Sequence, residues 1–501
     1  MNSGSLLKHT ITRSGVLILV KVMGIAARIP LIRLLGPEGT GLYQMAYACY
    51  GFGLTVVSGG FPTSLALTTA ENRALGRRLF KRSAFLLFGL GLLMGAFCYR
   101  FADGLAESLG NAHLAFPIRC LSPAIAIVPL LSLFRGYMQG RNSHGLIAVS
   151  ELIEQTVRLS LMLLLVFAWI PYGLPSAIGG AMLGAFAGAA AAIAFMAVAT
   201  RLLSESGESP ELMPPDGAKK QMTAFVYSSL TLAATRFIVP LSDFLDAYIV
   251  PNRLQAAGYS LSEAVSVFGE LSGMGGLIVY MPTLITSALA FTLSPKLVAD
   301  RMDRKTHRFR TRSEAALRFG WLWGIASAWV LYAYADPLAR LFFHDASIAK
   351  AIRCMAVIPI FAGFRELSTI VLWAKGDKIR PLQGLMGAVV GSLAFSYILI
   401  GIPGLGYAGA VIGMVSLEAI AALWNAKTMK KAYRLAVPWK RSLAEAAKLL
   451  LCLAMAEYGI RALFACFSLG DRWAIVQMIV VSLAGVGYIA SNMRLARNRI
   501  V

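Results

Sequence analysis

IAVSELIEQTVRLSLMLLLVFAWIPYGLPSAIGGAMLGAFAGAAAAIAFMAVAT, residues 147–200, holds two apolar runs parted by Ile170-Pro171-Tyr172-Gly173. No charged residue stands between Leu159 and Thr200. Each run reaches the roughly 20 apolar residues that a helix needs to cross a bilayer. Pro and Gly between them punctuate a turn. The stretch reads as two transmembrane helices, and the rest of the chain repeats the pattern.

Composition agrees. Of 501 residues, 57% are hydrophobic and only 14% charged, where soluble proteins carry about 25% charged. A soluble fold has no means of hiding so much apolar surface. The 47 Gly and 20 Pro also suit membrane helices, in which both are enriched. A net charge of +22 raises nucleic acid as a partner. The basic residues form short runs between apolar stretches rather than a basic domain, so membrane topology accounts for them and no nucleic-acid partner is expected. The six cysteines lie inside apolar segments without a CxxC, and His is too sparse for a metal cluster. No metal and no cofactor is expected. The first apolar stretch lacks a small-residue cleavage site and is expected to be retained.

Apolar runs place about fourteen spans at 14–35, 41–69, 83–101, 114–134, 147–170, 175–200, 222–245, 272–295, 315–336, 350–374, 382–400, 405–426, 444–467 and 473–493. Charge asymmetry supports the count. The loops from Arg73 to Arg82, Lys296 to Arg312, Lys375 to Arg380 and Lys427 to Arg441 are basic. The intervening ones at 36–41, 171–175 and 401–405 carry no Lys or Arg. With an even number of spans, and with Lys8, Arg13, Arg494, Arg497 and Arg499 near the ends, both termini are expected in the cytoplasm.

The chain also repeats itself. Ile118-Arg119-Cys120 opens the fourth span and Ile352-Arg353-Cys354 the tenth. Gln139-Gly140-Arg141-Asn142 follows the fourth, and Lys375-Gly376-Asp377-Lys378 the tenth. Ile170-Pro171-Tyr172-Gly173 with Gly180-Ala181 and Gly184 matches Ile402-Pro403-Gly404 with Gly409-Ala410 and Gly413. The pairings lie roughly 230 to 236 residues apart, a parallel repeat of six spans that describes an alternating-access transporter with its site between lobes. The expected organisation is an all-α membrane protein: an N-lobe at 1–200, a polar cytoplasmic linker at 201–221, a C-lobe at 222–426, and two extra helices in 427–501.

Charge inside a membrane costs several kcal/mol unless it faces protein or water, so each instance is a candidate site. Lys21 and Arg28 lie seven apart on one face of the first span, with Gly24 between them. Arg33 lies near the outer end, where snorkelling explains it. Glu151, Glu154 and Arg158 share a face of the fifth span, either as an intrahelical ion pair or as part of the site. Arg236 and Asp243, also seven apart, flank Pro240 in the seventh. Arg365-Glu366 sits mid-span in the tenth and Glu418 in the twelfth; neighbours in sequence point to different sides of a helix. Lys21, Arg28, Arg236 and Arg365 form the basic set suited to phosphate. Asp243, Glu154, Arg158, Glu366 and Glu418 are candidate counter-ions or sites coupling transport to Na+ or H+, with the membrane potential as another drive. Arg119 and Arg353, near the outer ends, anchor helices or close a gate. If these charges only pair with each other, none is a site. No P-loop, HExxH or nucleophile elbow is present, so no enzyme is expected.

Arg28-Ile29-Pro30 and Leu34-Leu35-Gly36-Pro37-Glu38-Gly39-Thr40-Gly41-Leu42-Tyr43-Gln44 resemble the opening of polysaccharide exporters in the multidrug/oligosaccharidyl-lipid/polysaccharide (MOP) superfamily. Phe134-Arg135-Gly136-Tyr137-Met138-Gln139-Gly140 and Glu154-Gln155-Thr156-Val157-Arg158 are similar to the stage V sporulation protein B branch. So are Asp246-Ala247, Val250-Pro251-Asn252-Arg253-Leu254, Ala257-Gly258 and Leu293-Ser294-Pro295-Lys296-Leu297. The resemblance covers essentially the whole chain. It implies a MATE- and MurJ-like fold of fourteen helices and the flipping of an undecaprenyl-pyrophosphate-linked saccharide, with lipid II for peptidoglycan or spore cortex as the leading substrate. It places the protein in the bacterial cytoplasmic membrane, with the forespore membrane and cell-wall synthases as further associations. MurJ-type flippases use basic residues in the first helix and around the eighth. Lys21 and Arg28 fit the first, but 272–295 holds no charge and Glu270 stands near the expected Arg, which moves the second assignment to Arg236 and Arg365. Three alternatives stay open: export of another lipid-linked polysaccharide precursor, a cation-coupled multidrug exporter, and a non-transporting cell-wall scaffold.

Overall fold

The computed structural model describes residues 3–204, 215–433, 439–466 and 473–498, with side chains at 23–201, 221–433, 441–464 and 473–493. Among these residues every regular element is a helix. Contacts divide the chain into two compact units, Met1–Gln255 with Tyr259–Gly269, and Ala256–Gly258 with Glu270–Val501.

The first unit begins with α1 (Ser3–Ser58), in which the first two expected spans run together across a kink at Gly36. Gly36 has φ 65°, a conformation open to glycine but costly for a side chain, and Pro37 follows it. Then come α2 (Phe61–Glu71), α3 (Arg73–Arg100), α4 (Ala102–Ser108), α5 (Ala115–Gly140), α6 (His144–Trp169) and α7 (Leu174–Ser204). Asn72 starts α3 by accepting the Leu75 amide at 2.9 Å, an N-cap in the usual sense. The unit continues through α8 (Pro215–Arg236), α9 (Ile238–Ala256) and α10 (Leu261–Phe268). The 222–245 span, expected at the head of the C-lobe, falls on α8 and α9. Phe225 of α8 meets Phe61 edge-on, with centroids 5.8 Å apart, in a core shared with Leu65, Leu87, Leu133 and Tyr137. Residues 246–271, which part the expected spans at 222–245 and 272–295, are largely helical. α9 runs on to Ala256, the chain turns at Gly258 (φ 98°), and a capping box between Ser260 and Glu263 starts α10.

After a π-helical turn at Gly269–Gly275, the second unit contains α11 (Gly276–Val279), α12 (Thr283–Met302), α13 (Thr306–Ala333), α14 (Ala335–Phe343), α15 (Ala349–Met355) and α16 (Ile358–Ala374). α17 (Ile379–Ile400), α18 (Gly406–Tyr433), α19 (Trp439–Cys466) and α20 (Ala474–Asn498) complete it. Leu297, Leu317, Leu367 and Ala422 form its core, and a second cluster around Leu322, Leu449 and Val481 packs α19 and α20 onto α13.

Among the described residues seven helices are long and apolar enough to cross a membrane, and three bent pairs bring the number to ten. The other four expected spans fall on α1 with α2, on α13 and on α19. Phe85 and Phe167 are 84% and 72% exposed, as lipid-facing side chains would be.

The sequence repeat has a backbone counterpart. Left-handed residues close α4 and α14 at Gly110 (φ 80°) and His344 (φ 58°), and α5 and α16 at Asn142 (φ 59°) and Gly376 (φ 86°). Both pairs share the offset between Arg119 and Arg353. The turn after α5 therefore aligns Asn142 with Gly376, a register two residues from the one that Gly140 suggested. Helix contacts repeat as well. A Cβ at Gly91 of α3 would lie 2.5 Å from the Ala126 carbonyl oxygen on α5, and one at Gly324 of α13 would lie 2.5 Å from the Ile360 Cα on α16.

Candidate functional site

α16 displays its two adjacent charges on different sides. Arg365 reaches α18, where Nε donates to one Glu418 oxygen at 2.5 Å and Nη2 to the other at 3.2 Å. The Tyr280 hydroxyl approaches the same carboxylate at 3.4 Å. The Glu418 side chain is 4% exposed and that of Arg365 30%. The carboxylate is thus sealed while part of the arginine side chain stays open. Glu366 turns to α12 and accepts from Thr286 at 2.7 Å and Ser287 at 2.5 Å. Helical spacing predicted this divergence, but Tyr280, Thr286 and Ser287 carried no signal, because hydroxyls in apolar runs read as ordinary membrane-helix residues.

In the first unit Glu154 pairs with Arg135 of α5 at 2.7 Å, and Arg135 Nε also donates to Ser150 at 2.8 Å. Arg158, one turn on, donates to the Tyr47 hydroxyl of α1 at 3.3 Å, with its guanidinium carbon 5.6 Å from the ring centroid. The intrahelical pair between Glu154 and Arg158 is replaced by two interhelical contacts. Neither Arg135 nor Tyr47 was singled out from sequence, since each depends on how α6 is rotated against its neighbours.

Arg28 lies half-buried on α1 within electrostatic range of Tyr43 and Tyr47. The Lys21 side chain lies outside the described residues. Arg236 is exposed at the end of α8, where the chain bends by 45° into α9. Asp243 is exposed on α9, one turn before Asp246. The bend, which falls at Phe237 ahead of Pro240, puts Arg236 and Asp243 on separate helices, so their seven-residue spacing does not place them on one face.

Arg119 pairs with Asp103 of α4 at 2.5 Å, and Arg353 pairs with Asp336 of α14. The partners are themselves separated by nearly the repeat offset. Each bridge lies inside its own unit and ties a short helix to the helix that follows.

Chemically, these helices carry partly buried arginines, groups that bind anions through strong charge-assisted hydrogen bonds, beside carboxylates that are already bonded.

Comparisons with known proteins agree with this architecture. A family model described as polysaccharide biosynthesis protein matches residues 6–299. Stage V sporulation protein B of Bacillus subtilis (strain 168) is 27% identical over 90% of this chain and 89% of its own length. Lipid II flippase MurJ of the same organism is 25% identical over 320 residues, 59% of this chain and 58% of the relative. A solved structure of lipid II flippase MurJ in an inward closed conformation superposes with a TM-score of 0.73 at 14% identity, covering 98% of this chain and 100% of that one.

Proposed function

The chain belongs to the polysaccharide biosynthesis protein family, and from that premise we propose that it flips an undecaprenyl-pyrophosphate-linked saccharide, with lipid II as the first candidate. It is a multi-pass membrane protein whose relatives and structural neighbours of stated activity are flippases or transporters rather than enzymes. Movement of a headgroup across a bilayer requires no covalent step, only a path on which a charged pyrophosphate is never left in hydrocarbon.

One observation carries the reading. Arg365, inside an apolar helix, is braced from behind by Glu418 with two hydrogen bonds, while part of its side chain stays exposed. A buried cation serving structure alone would be enclosed with its partner. One left part-open meets the need of a transient anionic guest, and arginine matches phosphate in geometry as well as charge. A hydrophobic drug needs no such group, and a cationic drug is repelled by it. In this scheme Arg28, Arg236 and Arg365 receive the pyrophosphate and Lys21 assists. Asp243, Glu366 and Glu418 balance charge or couple transport to Na+, H+ or the membrane potential. The two repeat-related halves alternate access from a cytoplasmic side that also holds both termini.

The test is translocation of fluorescent lipid II in proteoliposomes by wild type, Arg28→Ala, Arg236→Ala and Arg365→Ala. Transport by wild type and its loss in folded variants supports the flippase and these residues. Transport that survives all three substitutions removes the site assignment. A folded wild type that moves no lipid II removes that substrate and turns the search to other prenyl-linked glycans.

A further inference from the structure

Arg158 is oriented by packing on its far side. α7 presses against α6 through Gly184 and Gly188, and a Cβ at Gly188 would lie 2.6 Å from the Glu154 carbonyl oxygen and 2.8 Å from the Arg158 Cβ. No room remains there, so the side chain extends toward α1. It meets Tyr47, bonded at 3.3 Å and facing the ring at 5.6 Å. Tyr47 stands in an aromatic ladder, stacked on Tyr43 at 5.9 Å and tilted against Tyr50 at 5.6 Å. Arg28 lies within electrostatic range of the same Tyr43 and Tyr47.

The charge around Tyr47 does not balance locally. Glu154 is in range as well, but its carboxylate is bonded to Arg135 at 2.7 Å. Among the described residues no carboxylate pairs with Arg158 or Arg28. One guanidinium, Arg158, is therefore bonded to a tyrosine inside apolar helices, and a second, Arg28, lies within electrostatic range of the same ring. A phenol and a ring face offset only part of the cost of burying a cation, so this pair favours an anion strongly.

We infer that Arg158 is a pyrophosphate-binding residue that acts with Arg28, held in position by Tyr47, rather than a counter-ion to Glu154. The inference rests on the flippase reading above and deepens it. Glu154 and Arg135 neutralise each other and thereby release Arg158 for the guest. Arg158 contributes donors of fixed fork geometry, and Tyr47 limits its rotamers so that fewer states are lost on binding.

The purified full chain in detergent is titrated with farnesyl pyrophosphate and with farnesol, and unfolding temperature is recorded alongside. Arg158→Ala is expected to weaken farnesyl pyrophosphate binding about tenfold or more, the scale of a charge-assisted contact, and to leave farnesol binding unchanged. Arg158→Lys keeps the charge but loses the fork, and is expected to fall between wild type and Arg158→Ala. Tyr47→Phe is expected to weaken the pyrophosphate probe by roughly threefold, since only a positioning hydrogen bond is removed. If Arg158→Ala does not fold, the Lys and Phe variants decide. Wild-type affinity in the folded Arg158 variants, with Arg28→Ala impaired, overturns the role of Arg158 and leaves the flippase reading in place. A wild type that binds farnesol as tightly as farnesyl pyrophosphate overturns both.

Discussion

Arg365 on α16 and Glu418 on α18 are joined by two hydrogen bonds, and their burial is unequal, 30% exposed for the arginine side chain and 4% for the carboxylate. Removing one partner therefore differs from removing the other. Arg365→Ala leaves a sealed carboxylate without its cation and should cost about 3 kcal/mol of stability. Glu418→Gln leaves a cation that solvent partly reaches and keeps one acceptor, so its cost should be nearer about 1 kcal/mol. Thermal unfolding of each variant and of Arg365→Ala/Glu418→Gln checks this. The double variant should be more stable than Arg365→Ala alone, and a loss equal to the sum of the single losses would show that the pair is not energetically coupled.

Legibility from sequence followed the range of the interaction. Helices and repeat were readable because both leave regular traces: apolar runs of bilayer length, and Ile-Arg-Cys or Ile-Pro motifs recurring at nearly one offset. The split between Arg365 and Glu366 was readable too, since 3.6-residue periodicity separates neighbours on one helix. Partners across helices were not. Asp103 and Asp336 are single acids in polar connections, and Tyr47 is one aromatic among apolar residues. Arg135 meets Glu154 only because α5 and α6 turn those faces together. Arg236 and Asp243 show the reverse case, a spacing that promised one face until the bend at Phe237 separated them. The pairing of Asn142 with Gly376 was hidden because the two share a backbone conformation rather than a residue type.

The repeat-related bridges give a prediction about anchoring. Arg119 and Asp103 are 38% and 64% exposed, and Arg353 and Asp336 are both 43% exposed. Exposed pairs of this kind contribute little, so Asp103→Ala and Asp336→Ala should each lower stability by no more than about 1 kcal/mol. Because each bridge stays within its unit, lipid translocation should continue at the wild-type rate in both. Full stability combined with lost translocation in the proteoliposome assay would instead assign these arginines to a gate.

The close approaches of α3 to α5 and of α13 to α16 should be equally intolerant of bulk. Gly91→Leu sets a side chain against the Ala126 carbonyl, and Gly324→Leu sets one against Ile360. Each should destabilise its own unit by about 1–3 kcal/mol or more, the usual cost of overpacking. Gly89 and Gly387, where an added Cβ meets nothing within 4 Å, supply the controls. Size-exclusion profiles and unfolding temperatures of the four variants should separate them into two damaged and two near wild type. Four similar profiles would mean that these helix contacts yield to added bulk.

A last prediction concerns how α19 and α20 are held to the second unit. Arg318 of α13 gives both Nε and Nη2 to Glu445 of α19, and its Nη2 also reaches Asn492 of α20 at 2.6 Å. Arg441 adds a further bond to Glu445 at 3.0 Å. The Arg318 and Glu445 side chains are only 15% and 11% exposed, so the network is worth more than a surface pair. Glu445→Ala strands Arg318 in a largely dry setting and should cost about 3 kcal/mol. The loss should be local, because the apolar contacts of α1 through α10 are untouched. Hydrogen exchange should therefore quicken in α19, α20 and the adjoining part of α13 while α3, α5 and α7 keep wild-type protection. Arg318→Met/Glu445→Gln, which removes the charge mismatch and keeps the volume, should recover most of that protection. Unchanged exchange in Glu445→Ala would mean that the apolar cluster around Leu322, Leu449 and Val481 holds these helices without the charged network.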